Sequence, residues 1–507
     1  MHPRVRAALL VAAAASFLNP YMVSALTVAL PAVGREFHTD AATLSWITTA
    51  YLLASVVCFV PFGRLADLYG RRRLFTIGVV WFVLASVACA LAPSTAVLLV
   101  CRVLQGVASA MIFSNGVAML TAVAPPELRG RLLGVTVACV YTGLSLGPII
   151  GGVLTQVFGW RSVFLGTVPL GFATFVLAAW YLPGGADAPR AETGAAERAD
   201  GIDAVSVALY AAMFIGFAIG LSLVPAPPSP WLIAAGLAAG AAFAFRSLRV
   251  RSPVLDVRLF QTNRVFTLSS LAALLNYAAG SPSAFLVSLS LQYLKGMTPV
   301  HAGAVLIAQP ATQAVISPAA GWLSERIEPR TVASIGMAMT AGGLAALAAA
   351  PPGAPVSYVA AALIVMGAGF GLFSSPNTNA IMSSVPPRIY GVAAGVTSTV
   401  RIAGQLLSFA AITMIFNAFL GSAPVTAENL LRFRAAARLG FAVFAAACAT
   451  GVLASLARGN VHAGTGPPTS APVRMLESPA PLVLSSQGPR PRSRPPGGAF
   501  RKEPTDA

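Results

Sequence analysis

Residues 63 to 73 read Gly63-Arg64-Leu65-Ala66-Asp67-Leu68-Tyr69-Gly70-Arg71-Arg72-Arg73, a strongly basic stretch wedged between two long apolar runs. Gly63 and Gly70 permit a tight reversal, and Asp67 is one of few acids in the first half of the chain. Arginines resist hydrocarbon, so the stretch is expected to be a loop pinned to one face of a membrane. The positive-inside rule makes that face cytoplasmic.

Composition supports a membrane setting. Of 507 residues 56% are hydrophobic and only 10% charged, against about a quarter charged in a soluble protein. The net charge of +17 would suit a nucleic-acid partner, but the basic residues lie in short loops and in the tail, as membrane anchors. No nucleic acid is expected, and the lipid bilayer takes its place. The five cysteines (Cys58, Cys89, Cys101, Cys139, Cys448) all sit in apolar runs and read as buried small hydrophobes. They show neither a disulfide framework nor metal spacing. No nucleophile–base pair or phosphate loop suggests an enzyme, and no cofactor is expected. The first apolar run lacks a small-residue cleavage site and reads as a retained helix.

Apolar stretches of about 20 residues can cross a ~30 Å hydrocarbon core as helices. Fourteen are predicted, at 8–32, 43–62, 74–92, 96–123, 131–154, 162–182, 204–223, 231–246, 265–290, 300–323, 332–350, 356–380, 391–419 and 437–457. An even number puts both termini on one side. With that side inside, its loops and tails hold 25 of the 33 basic residues, the outside loops hold 6, and Arg102 and Arg401 fall within spans. Residues 183–203 read as a flexible linker. The tail after Arg458, rich in Pro, Ser, Gly and Arg, reads as disordered.

An internal repeat orders these spans. Residues 106–143 match 367–404 without a gap, sharing Gly106/Gly367, Ser114/Ser375, Pro125/Pro386, Pro126/Pro387, Gly130/Gly391, Gly134/Gly395, Val135/Val396, Thr136/Thr397 and Gly143/Gly404. A degenerate copy of the opening stretch, Gly321-Trp322-Leu323-Ser324-Glu325-Arg326, lies at the end of the tenth run. Two six-helix bundles with two helices inserted between them account for that spacing: 1–182, then 183–264 with the extra pair, then 265–457, then a basic tail 458–507. Repeats of this kind flank a central substrate site in transporters.

Three motifs carry a family resemblance. The pattern G-x-L-A-D-x-x-G-R-R-R at Gly63–Arg73 resembles the loop between the second and third helices of the major facilitator superfamily. The fifth run holds Gly143-Leu144-Ser145-Leu146-Gly147-Pro148-Ile149-Ile150-Gly151-Gly152. Its glycines four apart make a flat groove for close helix approach, and the string resembles the antiporter motif of exporters in that superfamily. Arg102-Val103-Leu104-Gln105-Gly106 resembles the family's R-x-x-Q-G motif. Ala29-Leu30-Pro31 with Trp46 and Tyr51 resembles the fourteen-helix drug:proton antiporter branch, although Met22 stands where many of those carry an aspartate. The resemblance implies a major-facilitator fold and proton-coupled efflux of an amphipathic small molecule by a monomer, across a bacterial cytoplasmic membrane. Dedicated export of a metabolite or self-made antibiotic is the alternative, and a non-transporting receptor or scaffold a remoter one.

The resemblance assigns conformational gating to Gly63, Asp67, Gly70, Arg71, Arg72, Gly143, Gly147, Pro148, Gly151 and Gly152. Coupling or substrate contact is expected of Arg102 and Arg401, the only charges within spans, and of the amides Asn19, Gln105, Asn276, Gln309, Gln313 and Asn377. Each amide either lines a cavity or bridges helices. Arg102 either faces a cavity or partner, or snorkels outward. No acid falls within a span, so a proton would be carried by a helix-end group such as Asp203 or Glu325, or by the substrate.

Overall fold

The computed structural model describes residues 3–123, 126–181, 203–250, 257–385, 390–421, 423 and 425–459. The linker 183–202 and the tail from residue 460 lie outside the described residues, as do the side chains of Asp67 and Glu325. Helices run α1 Pro3–Phe37, α2 Ala41–Tyr69, α3 Arg71–Ala90, α4 Thr95–Val123, α5 Pro126–Phe158, α6 Arg161–Leu165 and α7 Thr167–Tyr181. Next come α8 Ala204–Ser222, α9 Ser229–Arg249, α10 Arg258–Thr262, α11 Arg264–Leu289, α12 Pro299–Leu306 and α13 Ala308–Arg326. The chain closes with α14 Pro329–Ala349, α15 Val356–Ser383, α16 Tyr390–Leu420 and α17 Leu430–Ala457. Thirteen helices among the described residues are long and apolar enough to cross a membrane. This is an all-α, multi-pass membrane protein.

Two expectations are corrected. The basic stretch is not a loop: α2 continues through Gly63 to Tyr69, and α3 starts at Arg71. Only Gly70 breaks the helix, at φ 98° and ψ 124°, a conformation that side chains disfavour. Gly63 is a helix-interior residue with open space where a side chain would go. The span predicted at 300–323 is split at Ile307 into α12 and α13. Pro310 has no N–H to offer the Leu306 carbonyl, which ends the first helix.

The two halves repeat their packing, position for position. Gly106 of α4 lies against the Tyr51 carbonyl of α2, and Gly367 of α15 lies against the Gln309 carbonyl of α13. A Cβ on Gly143 of α5 would sit 2.7 Å from the Phe17 carbonyl oxygen of α1; one on Gly404 of α16 would sit 2.6 Å from that of Leu274 in α11. In both bundles, then, glycine lets the equivalent helix pair close to backbone contact. Between bundles, α2 packs on α16 and α5 on α12–α13. The inserted hairpin α8–α9 straddles the first of these seams. Tyr210 of α8 donates to the Val56 carbonyl in α2 at 3.1 Å, and Asn417 of α16 donates to the Ser222 carbonyl at 2.6 Å.

Candidate functional site

The motif arginine is fully buried in the N-terminal bundle. Arg102 donates from Nε to the Ile47 carbonyl at 3.0 Å and from Nη1 to Gln105 Oε1, and its guanidinium lies 4.2 Å from the centre of the Tyr51 ring. Gln105, one turn on, donates to Ser86 Oγ of α3 at 2.8 Å. Tyr51 donates to Ser109 Oγ at 2.7 Å and to Asn19 Oδ1, and Asn19 Nδ2 reaches Ser109 Oγ at 2.9 Å. One charge thus joins α1, α2, α3 and α4 through carbonyls, amides and a π face, with Nη2 left unpartnered. A buried cation held by dipoles alone is costly, and it does not snorkel. Asn19, half-buried, is the outermost member of the chain Arg102–Tyr51–Asn19.

A second polar cluster lies where the bundles meet. Tyr141 of α5 donates to Ser374 Oγ of α15 at 3.2 Å, and the Tyr277 hydroxyl of α11 lies 3.5 Å from the same atom. Gln313 and Ser317 of α13 lie beside the Tyr141 hydroxyl. Half-buried Arg401 of α16 reaches across to α4, its guanidinium 5.2 Å from the Phe113 ring centre, and Phe59 of α2 packs on that ring at 5.7 Å. Sequence reasoning missed both tyrosines. Their position midway along the fifth and ninth apolar runs was the available signal.

The remaining amides go elsewhere. Asn276 is buried against α17, where the Cys448 thiol lies 3.6 Å from its Oδ1. Asn377 accepts from Arg458 Nη1 at 2.7 Å and donates to the Ser269 carbonyl at 3.1 Å, inside the C-terminal bundle. Gln309 is half-buried on α13. Arg458, expected to open the tail, instead ends α17 with 1% exposure and a second bond to Ser269 Oγ at 3.2 Å. Burial pushes its guanidinium down to about 10, so it stays charged at neutral pH.

The glycine–proline string packs α5 onto α1. Gly147 lies against Ser24 Oγ and Tyr21 O, and a Cβ on Gly151 would sit 2.6 Å from the Ala25 carbonyl oxygen. Ser24 Oγ donates across to the Gly143 carbonyl at 3.2 Å. Gly152 faces the other bundle, 2.7 Å from the Pro299 carbonyl oxygen by the same measure, while Gly303 of α12 abuts the Pro148 carbonyl. Pro3, where α1 starts, and Ala457, where α17 ends, mark one face of the protein, the terminal face. Hydrogen bonds join the bundles at mid-depth and towards the opposite, far face. Ser288 donates to the Thr27 carbonyl at 2.9 Å, Gln292 to that of Val28 at 3.0 Å and Tyr293 to that of Pro31 at 3.4 Å, and Ser45 bonds Thr413. Gln292 and Tyr293 sit on the π-helical turn Ser290–Leu294 that extends α11.

At the terminal face Arg72 donates to the Ala179 carbonyl of α7 at 2.9 Å, and Arg71 also has a bonding partner. Asp203 caps α8 and takes two bonds from Arg246 of α9, each 2.8 Å. That guanidinium holds its carboxyl well below the usual aspartate range, so Asp203 is ionised at physiological pH while the pair is made. Among the described residues no group of three or more His, Cys, Asp or Glu could hold a metal ion.

Two bundles related by an internal repeat meet through paired glycine contacts and a polar interface, an architecture that membrane transporters share. The sequence profile of the Major Facilitator Superfamily matches residues 12–408 and 266–496, and the chain belongs to that family. It is 32% identical over 77% of its length to the Escherichia coli protein named "Uncharacterized transporter YebQ", covering 85% of that protein. It is 31% identical over 80% of its length to "Multidrug resistance protein Stp" of Mycobacterium tuberculosis, covering 74% of it. The crystal structure of a D-xylose–proton symporter superposes with a TM-score of 0.63 at 14% identity, covering 90% of this chain and 98% of that one, which shows the shared fold.

Proposed function

We propose that the protein exports amphipathic small molecules across a bacterial cytoplasmic membrane by proton antiport, as a monomer with both termini in the cytoplasm. The basic residues crowd the terminal face, which supports that orientation. The observation that carries the reading is the polar cluster where the two repeat-related bundles meet. Tyr141 of one bundle meets Ser374 and Tyr277 of the other midway along their helices, the level at which repeat-built transporters hold substrate. Stp is named a multidrug resistance protein, in line with efflux.

In this reading substrate lies at the level of Tyr141, Tyr277, Gln313 and Ser374, with Asn19 and Arg401 on its flanks. Three hydroxyls and an amide orient it, and aromatic rings supply contact area. Arg102 acts one layer back, through Tyr51 and Asn19, coupling the interface to the packing of α1–α4. Arg401 brings a positive charge to the interface, which favours anionic or neutral amphiphiles over cations. With Asp203 locked to Arg246, the coupling proton travels on Glu325 at the end of α13 or on the substrate. Asp67, Gly70, Arg71 and Arg72, at the joint between α2 and α3, govern the exchange rate rather than substrate contact. Efflux by a deletion strain carrying the gene tests the function. Lower accumulation of anionic or neutral amphiphiles, abolished by collapsing the proton gradient, is expected; unchanged accumulation across the panel would contradict it.

A further inference from the structure

A cavity of 550 Å³ opens on the outer flank of the N-terminal bundle, in the cleft between α3 and α4, lined among others by Ile77, Val80, Trp81, Leu84, Ala88 and Leu104. Its one polar neighbour, Thr76, spends its hydroxyl on the Arg72 carbonyl at 2.9 Å. Positions 73, 77, 80, 84 and 88 recur at three- and four-residue steps, so they form one stripe along α3. Exposure continues along it, with Ile77 at 44%, Val80 at 41% and Leu84 at 64%. From Thr76 to Ala88 the cleft runs about 18 Å at 1.5 Å per residue, close to the ~15 Å of one leaflet's hydrocarbon. Arg73, exposed, ends the stripe at the terminal face, at headgroup depth. Arg72 turns away to α7, while Arg73, one turn before Ile77 on the same stripe, is an exposed cation at that end of it.

We propose that this cleft is a binding site for one anionic phospholipid, with an acyl chain along α3 and α4 and its phosphodiester on Arg73. The match is one of length, polarity and charge: a one-leaflet apolar slot with a cation at its headgroup end. Behind the slot lies Ser86, which receives the Gln105 bond of the Arg102 network. A bound chain therefore presses α3 onto α4 at the level of that network.

Native mass spectrometry of the detergent-purified full chain tests this, with equimolar phosphatidylglycerol, phosphatidylethanolamine and phosphatidylcholine. One retained phosphatidylglycerol is expected, preferred by about fivefold, the worth of one charge at a membrane surface. Arg73→Gln is expected to abolish the headgroup preference while a lipid is still retained, and Leu84→Trp to fill the slot and abolish retention. Arg249→Gln, at the terminal face of α9, is expected to change neither. Both test positions face lipid, and a monodisperse size-exclusion peak confirms the fold of each variant. No retained lipid, retention without headgroup preference, or a preference that survives Arg73→Gln would each overturn the proposal. So would competitive displacement of the lipid by an exported amphiphile, which would make the cleft a substrate site.

Discussion

Replacing Gly147 with alanine isolates the contact on which the α1–α5 joint depends. The new Cβ would meet Ser24 Oγ first, then the Tyr21 carbonyl oxygen at 2.9 Å and the Ala25 nitrogen at 3.0 Å. Ser24 can rotate away, but only by giving up its bonds to Pro20 O at 2.8 Å and Gly143 O at 3.2 Å, a net loss of about 1 kcal/mol. The two backbone atoms cannot rotate. An ordinary carbon contact is about 3.5 Å, so the helices must part by roughly half an ångström, and overpacking of this kind costs about 1–3 kcal/mol. Gly63→Ala is the internal control: nothing lies within 4 Å of its Cβ position, and alanine in an open helix interior gains up to about 1 kcal/mol. The assay pairs thermal unfolding in detergent with transport in vesicles. Gly147→Ala is expected to lower the midpoint and slow export, Ser24→Ala to restore it only in part, and Gly63→Ala to hold or raise the midpoint. A Gly147→Ala protein as stable and active as the unmodified one would refute the reasoning.

Alanine at Gly143 and at Gly404 should destabilise to within about 1 kcal/mol of each other, since both meet an equivalent carbonyl at nearly the same distance; thermal midpoints that differ grossly would break the packing equivalence. Arg102→Met removes a buried charge that has no counter-ion, so fold stability should hold or rise while transport falls at least tenfold, and normal export would dismiss Arg102 as functional. Asp203 has a depressed pKa in the folded state, so its contribution is complete above the ordinary aspartate value of about 4 and is lost only as pH falls through the lower folded value. Asp203→Asn should therefore leave the shape of the transport–pH profile between about pH 5.5 and 8 unchanged, whereas a shifted profile would reinstate it as a proton group.

Much of the fold was legible in the sequence because hydrophobic length and charge placement answer directly to the bilayer. The repeat at 106–143 and 367–404 pairs Gly106 with Gly367, and the structure packs the first on α2 and the second on α13, the equivalent helix of the other half. Helix ends were less legible. Arginines marked the membrane face, yet α2 runs on past it to Tyr69, because charge fixes depth and not backbone conformation. The side-chain site was the least legible. Asn276 and Asn377 share the composition of cavity-lining amides, but helix rotation turns them into their own bundle. Tyr141 and Tyr277 gave no periodic signal, and Arg458 read as tail because its partners Asn377 and Ser269 are remote in sequence.

The central claim is a proton-driven exporter whose interface carries positive rather than negative charge. Everted membrane vesicles energised by a pH gradient test it most directly, comparing ethidium with anionic and uncharged amphiphiles. The account predicts gradient-dependent uptake of anionic or uncharged compounds, weakened for anions by Arg401→Ala, and little ethidium uptake. Robust gradient-driven ethidium transport by the unmodified protein would contradict it.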